Sequence, residues 1–333
     1  MGTHQNIMVY GEIVEGRLAS ITKELLGAGR KLADSLGEEV YIILVGSGIK
    51  NTAVEAMAYG ADKVYLIDHP LVQSYQSDLY ILCAMHVFEK ETPRIFLLGH
   101  TDIGQDMGPR LAFRLNTALV TDCIDLFIDT ATKSCIMAKQ VYGGKAQADY
   151  ICETYPQMAT IRPKTMPPLE KDESRDGEII SIDIDLNESR IRTKLIDKVI
   201  EESHGIKLED ADIIVSGGRG IGGKEGFQQL EALAKLFKNA AVGASRPACD
   251  EEWVSTKMQV GITGKIVAPR VYIAVGISGA SQHVTGCSGS ETVIAINQDK
   301  SAPIFKVAKF GLVADWQVAF PAFANKVKEL IEK

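Results

Sequence analysis

The chain has 333 residues, of which 46% are apolar and 24% are charged, and its formal net charge is −7 at pH 7. This mix is typical of a folded protein of about two domains and excludes disordered and fibrous chains. Because no basic block is present, duplex nucleic acid or an anionic membrane surface is disfavoured as the main partner. The apolar runs are shorter than the ~18–20 residues of a membrane span, and the N-terminal segment turns polar too early for a signal peptide. We therefore expect no membrane span and a cytoplasmic location.

The cysteines and histidines do not form a metal or redox pattern. The six cysteines never occur as C-x-x-C, which is unlike a disulfide scaffold or an iron–sulfur site and favours a reducing compartment. Four scattered histidines lack metal-ligand spacing and are interpreted as structural: His69, His86, His100 and His204. We predict no metal site.

The first half alternates between strand and helix patterns. Short apolar runs predict strands at 7–13, 40–45, 63–67, 94–99 and 118–120. Amphipathic segments between them predict helices at 21–36, 52–59, 74–88 and 105–115. This alternation predicts an α/β domain with a parallel sheet. Its glycine turns at 46–48 and 99–104 carry no pattern to which we assign a site.

After residue 120 the elements become shorter. Strands are predicted at 123–127, 134–141, 146–152 and 157–161, with turns such as Gly143-Gly144, and they indicate an antiparallel extension at the sheet edge. Prolines at 163, 167 and 168 and the charged stretch 170–178 then predict a connector, followed by one more strand at 178–184. We place the domain boundary after residue 200, giving an N-terminal domain at 1–200, which would contact a partner, and a second domain at 201–333.

The glycines of the second half follow predicted strands. A strand at 211–215 leads into the glycine-rich segment 216–223 and a helix at 226–237, a setting in which backbone N–H groups can hold a phosphate. Gly218, Gly220 and Gly223 fit G-x-G-x-x-G, although a tight turn without a ligand remains the alternative. A P-loop is excluded because Glu225 occupies the position of the Mg²⁺-binding Ser or Thr.

Three further segments repeat this strand-then-polar-turn arrangement. The segment 260–265 is one. A strand at 271–275 runs into a Gly/Ser turn with Ser278 as the predicted helix N-cap, and a strand at 292–297 ends in Asn297. A strand at 303–307 and a segment at 311–315 lead to a C-terminal helix at 318–332. Ligands of open α/β sheets bind at the carboxyl ends of the strands, so these turns predict a binding crevice.

Several of these motifs, in this order, resemble one family. They are SGGRG at 216–220, VGASRPACD at 242–250, MQVGITGKIVAPRVYIAVGISGASQHVTG at 258–286 and ETVIAINQDKSAPIFKVAKFGLVADW at 291–316. They closely resemble the flavin-binding half of the electron transfer flavoprotein alpha subunit. The resemblance implies two α/β domains, the second Rossmann-like and FAD-binding, and a partnership with a beta subunit. It also implies electron exchange with an acyl-CoA-type or other flavin dehydrogenase.

The resemblance also implies which residues contact FAD. They are Arg219, Ser245, Arg246, Val260, Gly261, Ile262, Thr263, Ser278, Gly279, Ala280, Ser281, Gln282, His283, Asn297 and Asp315. This chain departs from some relatives at Ile262, where Gln is common, and at the CSGS segment 287–290. Neither departure removes a contact, but both can alter the surroundings of the flavin. We interpret Cys287 as a small packing residue.

Three of these residues have the chemistry to tune a flavin. Reduction places negative charge on the N1–C2=O edge of the ring, and His283 could face that edge as a donor or a cation. Arg246 would place a permanent positive charge beside the ring, and the Thr263 hydroxyl could bond the N5/O4 edge. The alternatives are a packing role for His283, a phosphate or solvent contact for Arg246, and a turn-stabilising hydroxyl for Thr263.

The remaining polar residues suit the rest of the dinucleotide. Ser278 and its neighbouring amides can bind pyrophosphate oxygens, and Asn297 and Asp315 can bind ribose or adenine atoms. Three functions stay open from sequence alone. The leading one is an electron carrier formed with a beta subunit. The second is the alpha subunit of an NADH-oxidising, electron-bifurcating flavoprotein. The third is a nucleotide-binding module without redox activity.

Overall fold

The computed structural model describes residues 4–142, 146–187, 189, 191–193, 196 and 206–331. The chain forms two compact units, Met1–Lys198 and Val199–Lys333. Both units are α/β, which confirms the predicted fold class. The predicted turn at Gly143-Gly144 and the predicted boundary after residue 200 lie outside the described residues. Among the described residues, no helix has both the length and the apolar character that a membrane crossing requires.

The first unit contains one large sheet and a small hairpin. Its strands are β1 (Ile7–Gly11), β2 (Ile13–Val14), β3 (Arg17–Leu18), β4 (Val40–Gly46), β5 (Lys63–Asp68), β6 (Ile95–Gly99), β7 (Leu119–Ile128), β8 (Cys135–Val141), β9 (Ala146–Ile151), β10 (Gln157–Ile161) and β11 (Glu178–Ser181). Its helices are α1 (Ser20–Leu36), α2 (Lys50–Ala58), α3 (Ser77–Phe88) and α4 (Asp102–Arg114). The sheet order is β11-β5-β4-β1-β6-β10-β7-β8-β9, and β2 pairs with β3.

The central strands of this sheet are buried on both faces. β1, β4 and β6 are buried along their whole length, which explains why their sequences are continuous apolar runs rather than alternating ones. One face packs against α1 and α2 through residues such as Leu25 and Ala53. The other face packs against α3 and α4 through residues such as Val87 and Leu111. In this sheet the antiparallel pairings of the described strands are β7–β8 and β8–β9, so the predicted extension is present at one edge.

Two predictions for the end of this sheet were wrong. The strand at 157–161 does not belong to the antiparallel extension, because β10 lies between β6 and β7 and pairs in parallel with both. The β8–β9 excursion returns the chain to the centre of the sheet, where all five residues of β10 are buried. The segments 118–120 and 123–127 are parts of the single strand β7, with Asp122 in the left-handed region (φ 63°) and irregular register on both sides.

The second unit has a five-stranded parallel sheet. Its strands are β12 (Ile213–Gly217), β13 (Ala240–Ala244), β14 (Val271–Val275), β15 (Thr292–Asn297) and β16 (Phe310–Val313). Its helices are α5 (Lys224–Ala234), α6 (Arg246–Asp250), α7 (Ser281–Cys287) and α8 (Trp316–Ile331). The strand order is β13-β12-β14-β15-β16, so the chain adds β13 on one side of β12 and β14 on the other, and the switch point lies between β12 and β14. The helices that follow these two strands, α5 and α7, pack on opposite faces of the sheet, which leaves a crevice at the carboxyl edge.

Two predictions in this unit also need correction. The segment 303–307 is not a strand: Pro303–Lys306 forms a 3₁₀ turn, and the fifth strand is β16. Pro303 has no N–H for a sheet ladder, and the next residue, Ile304, is buried under the turn after β14. Helix α7 begins at Ser281 with Ala280 as its N-cap, so Ser278 is not the cap. Instead, the Ser278 carbonyl accepts a hydrogen bond from the Ile304 amide at 3.0 Å.

Candidate functional site

A cavity of about 560 Å³ lies at the carboxyl edge of the second sheet, where the loops after β12, β13 and β14 meet. Thirteen of the fifteen residues predicted to contact the cofactor line it: Arg219, Ser245, Arg246, Val260, Gly261, Ile262, Thr263, Ser278, Gly279, Ala280, Gln282, His283 and Asn297. Ser281 and Asp315 do not line it. Ser281 is the first residue of α7, and the Asp315 carboxylate accepts from the Gln317 amide at the start of α8.

Sequence reasoning missed six lining residues, which are Gly220, Pro247, Gln259, Gly276, Ile277 and Asp299. Gly220 and Gly276 stood inside recognised glycine turns, so their spacing could have identified them. Pro247 and Gln259 immediately adjoin predicted contacts along the chain. Asp299 had no comparable signal, because it lies two residues beyond β15 and its carboxylate forms a local turn with Ser301.

Two glycines that line the cavity belong to loops whose backbones are in direct contact. The Gly220 amide donates to the Gly276 carbonyl at 3.0 Å, which joins the loops after β12 and β14. Gly276 has φ 62°, and a Cβ there would lie within 2.8–3.0 Å of the Gly220 and Ile221 backbone. A Cβ on Gly218 would lie 2.1 Å from the Gly276 carbonyl oxygen. These glycines are therefore required for the loops to meet.

The loop at 259–265 is held against helix α7. The Ile262 amide donates to the Gln282 carbonyl at 3.0 Å, and a Cβ on Gly286 would lie 2.4 Å from Gly261. Inside the loop, the buried Gln259 donates from Nε2 to Thr263 Oγ1 at 2.9 Å. Because Oγ1 accepts this bond, the Thr263 hydroxyl proton is left free to donate elsewhere. The turn-stabilising and ligand-binding interpretations of Thr263 are thus compatible.

Two arginines give the cavity positive charge. Arg246 is the first residue of α6, its side chain is 66% exposed, and its Nε lies 3.4 Å from Asp250 Oδ2. Arg219 is exposed in the turn after β12. A guanidinium stays charged at every physiological pH, but exposure and the Asp250 carboxylate both screen the Arg246 charge.

His283 lies deeper in the site. Its imidazole is 7% exposed, and Nε2 lies 2.9 Å from the Tyr272 hydroxyl oxygen. Nδ1 is buried, and no acceptor meets hydrogen-bond geometry there, although the Val260 backbone lies close enough to the ring to act on its pKa. Burial lowers the pKa of His283 to about 4, while the Val260 backbone acts in the opposite direction. The ring is therefore neutral at pH 7. Burial thus disfavours the cationic role that the sequence left open, and an uncharged donor and a packing role both fit a neutral ring.

The cysteine near the site is a packing residue. Cys287 is buried at the end of α7, and burial raises the pKa of its thiol to about 12. Its sulfur is therefore a protonated, unreactive thiol at neutral pH. Among the residues that the structure describes, no three His, Cys, Asp or Glu side chains are arranged to hold a metal ion.

These residues fit FAD, the cofactor that the resemblance implies. The cavity volume lies within the ~300–1,000 Å³ typical of small-molecule sites. Its lining includes glycine backbone at Gly220 and Gly276, which a phosphate or ring can approach closely, and a buried histidine whose Nδ1 makes no hydrogen bond of good geometry in the protein. A buried polar atom of this kind costs stability unless a ligand satisfies it.

Comparison with known proteins identifies both halves of the chain. Residues 7–187 match the electron transfer flavoprotein domain, and residues 207–288 match the electron transfer flavoprotein FAD-binding domain. The chain is 41% identical to electron transfer flavoprotein subunit alpha of Thermoanaerobacterium thermosaccharolyticum, covering 99% of this chain and 100% of that protein. It is also 41% identical to the subunit alpha of Bacillus subtilis, covering 98% of each.

A third relative carries a more specific name. Acryloyl-CoA reductase electron transfer subunit beta of Anaerotignum propionicum is 37% identical, covering 99% of this chain and 97% of that protein. Identity at this level along the whole chain establishes a family rather than a shared fold alone. The chain belongs to the electron transfer flavoprotein alpha subunit family, and its second unit contains the family's FAD-binding domain.

Proposed function

We propose that this protein binds FAD in the cavity of its second unit and, paired with a beta subunit, carries electrons between a dehydrogenase and an acceptor. One observation carries the proposal: thirteen residues chosen from sequence motifs converge on one cavity at the switch point of the FAD-binding domain. Bound FAD would supply the redox chemistry. The residues of this chain bind the cofactor, orient it and set the electrostatics around it.

Each part of the cavity wall has a proposed role. The turn that contains Ser278 and its neighbouring amides would hold the pyrophosphate, and Asn297 would contact the ribose or adenine. The free Thr263 proton and the neutral His283 ring would donate to the polar edges of the isoalloxazine. Arg246 would add positive potential beside the ring. Together these groups would favour the reduced, negatively charged cofactor over the oxidised, neutral one.

An exposed apolar surface supports the proposed partnership. β16 is paired on one side only, and all four of its residues are exposed, including Phe310 and Leu312. On α8, Val318 and Leu330 are also exposed, at 76% and 63%. An unpaired edge strand beside exposed apolar side chains is a surface that a partner chain would cover. We propose that the beta subunit covers it and that the first unit also contacts that subunit.

The relative from A. propionicum supports an acyl-CoA-type redox partner, because its name joins an electron transfer subunit to acryloyl-CoA reductase. The described residues contain no observation that favours electron bifurcation over simple transfer.

Counting flavins tests the proposal directly. The chain is coexpressed with a beta subunit, and the bound nucleotides are released and quantified per heterodimer. One FAD with AMP supports the carrier, whereas two FADs support bifurcation. Absence of flavin from the intact heterodimer refutes the proposal. The heterodimer is then mixed anaerobically with an acyl-CoA dehydrogenase and its acyl-CoA, and loss of the oxidised flavin absorbance of the heterodimer is the expected result.

A further inference from the structure

The hydroxyl of Tyr272 lies inside the apolar core beneath the cavity. Tyr272 is the second residue of β14 and is completely buried among apolar residues such as Ile214 and Val293. Burying a hydroxyl without a hydrogen-bond partner is costly, so tyrosine at such a position needs one. The hydrogen bond that the structure gives this hydroxyl joins it to His283 Nε2 at 2.9 Å.

The direction of this bond follows from the neighbouring groups. Burial raises the pKa of Tyr272 well above its usual value, so the hydroxyl keeps its proton. If His283 Nε2–H were the donor, the tyrosine proton would need another acceptor. Ser216 is the neighbouring hydroxyl: it acts to lower the pKa of Tyr272, as a donor to the tyrosine oxygen would, and no acceptor geometry for the tyrosine proton is present at its Oγ. Tyr272 therefore donates to Nε2, because the opposite arrangement leaves a buried donor unsatisfied.

This direction fixes the proton on the other nitrogen. A neutral imidazole carries one proton, and if Nε2 accepts from Tyr272, that proton is on Nδ1. Nδ1 is the buried atom without a hydrogen bond of good geometry, on a ring that lines the cavity and interacts with the Val260 backbone.

We propose that Tyr272 is a positioning residue that holds His283, on the cavity wall, in the neutral Nδ1–H tautomer, so that a ligand group that reaches Nδ1 meets a fixed, uncharged N–H donor. The proposal rests on the proposed function to the extent that its acceptor is the flavin. The pyrimidine edge of an isoalloxazine is suitable, because it becomes negative on reduction and a donor held in place then binds it more strongly.

The tautomer is measured without reference to electron transfer. The full chain, coexpressed with its beta subunit, is labelled with ¹⁵N-histidine, and His283→Asn assigns the His283 signals by their loss. We expect Nδ1 at the shift of a protonated nitrogen and Nε2 at the shift of a nitrogen with a free lone pair. A wild-type ring with its proton on Nε2, or a charged ring at pH 7, overturns the proposal even where Tyr272→Phe fails to fold.

The variant Tyr272→Phe removes only the hydroxyl. We expect the Nδ1–H tautomer to lose its dominance, so that both nitrogens move toward averaged shifts. The matched control is Tyr80→Phe, because the Tyr80 hydroxyl is also buried and hydrogen-bonded, to the Val72 carbonyl in the first unit. This control should leave the His283 signals unchanged. An unchanged tautomer in Tyr272→Phe contradicts the proposal.

A potential measurement adds a readout that a purely structural role would not move. The flavin potential and the affinity for oxidised FAD together give the ratio of the affinities for reduced and oxidised FAD. We expect Tyr272→Phe to lower this ratio by about tenfold while the affinity for oxidised FAD stays nearly unchanged. Equal loss of both affinities indicates a general packing defect and counts against the proposal. A wild-type chain with the Nδ1–H tautomer but no bound flavin would refute the proposed function while supporting the role of Tyr272.

Discussion

The second unit should lose stability as the pH falls from 7.5 to 5, because His283 is buried as a neutral ring. Its pKa is about 4 when folded and near the ordinary 6.5 when unfolded, so the unfolded chain binds a proton more readily. The contribution is fully present above pH 6.5 and is lost progressively as the pH falls toward 4. The gap of two and a half units of pKa corresponds to ~3 kcal/mol, of which ~2 kcal/mol is lost by pH 5.

Tryptophan fluorescence isolates the unit that contains His283. Both tryptophans of the chain, Trp253 and Trp316, lie in the second unit, so their urea transition reports its free energy of unfolding. Glu24, whose pKa burial raises to about 7, acts with the opposite sign but lies in the first unit. The measurement is the change in unfolding free energy between pH 7.5 and 5 for wild type and for His283→Asn, both as full-length, flavin-free chains.

Groups that titrate equally in wild type and in His283→Asn cancel when the pH-dependent changes in unfolding free energy are subtracted. We expect the pH-dependent loss in His283→Asn to be smaller than in wild type by ~2 kcal/mol. His86→Asn is the control, because His86 is a partly exposed residue of the first unit and should leave the wild-type loss unchanged. Equal pH dependence in wild type and His283→Asn would mean that the imidazole titrates normally, and the assignment of a neutral, buried donor would be refuted.

Three further predictions address charge, loop packing and organisation. Arg246→Ala should lower the flavin potential by about 20–40 mV, and Arg246→Lys should recover part of that loss. The effect is limited to ~0.5–1 kcal/mol because the side chain is exposed and paired with Asp250. Spectroelectrochemical titration at matched flavin occupancy measures both changes. In urea, Gly279→Ala should destabilise the second unit by several-fold more than the ~1 kcal/mol expected for Gly222→Ala. Both glycines have positive φ, but only a Cβ on Gly279 would clash, at 2.3 Å from the Ile304 amide nitrogen. Equal losses of stability in the two variants would contradict this close approach. A fragment from about residue 204 onward should retain FAD when it is coexpressed with the beta subunit. The full chain expressed alone should be flavin-poor or unstable. A flavin-replete soluble monomer at micromolar concentration would count against an obligate partner.

The alternation of elements and the position of the crevice could be predicted from sequence because both depend on local patterns. Apolar runs of strand length mark buried parallel strands, and the polar turns after them must meet at one sheet edge. The path of β10 could not be predicted, since its five residues read the same whether they pair in parallel or antiparallel. The segment at 303–307 was misassigned because an apolar run beside a proline can also pack as a 3₁₀ turn, as Ile304 does.

The protonation state of His283 also could not be predicted from local sequence. Its motif identifies the residue but not its burial, which depends on packing among β14, α7 and the loop at 259–265. Tyr272 reads in sequence as one more apolar residue of a strand, and nothing in its spacing indicates that its hydroxyl faces an imidazole eleven residues later. Such a contact becomes visible only when the strand and the helix are placed together.

Arg246 is charged and His283 is neutral, and this difference follows from the exposure of the first side chain and the burial of the second. A charge in the place of His283 would have to be desolvated, and burial already lowers the pKa of the imidazole enough to remove that charge. A guanidinium keeps its proton, so it needs a position where water and a carboxylate can stabilise its charge, as they do at Arg246. In the proposed site, the arginine therefore supplies a screened positive potential and the histidine a directional, uncharged donor. The buried position of His283 would not tolerate a permanent charge, whereas the solvated position of Arg246 does.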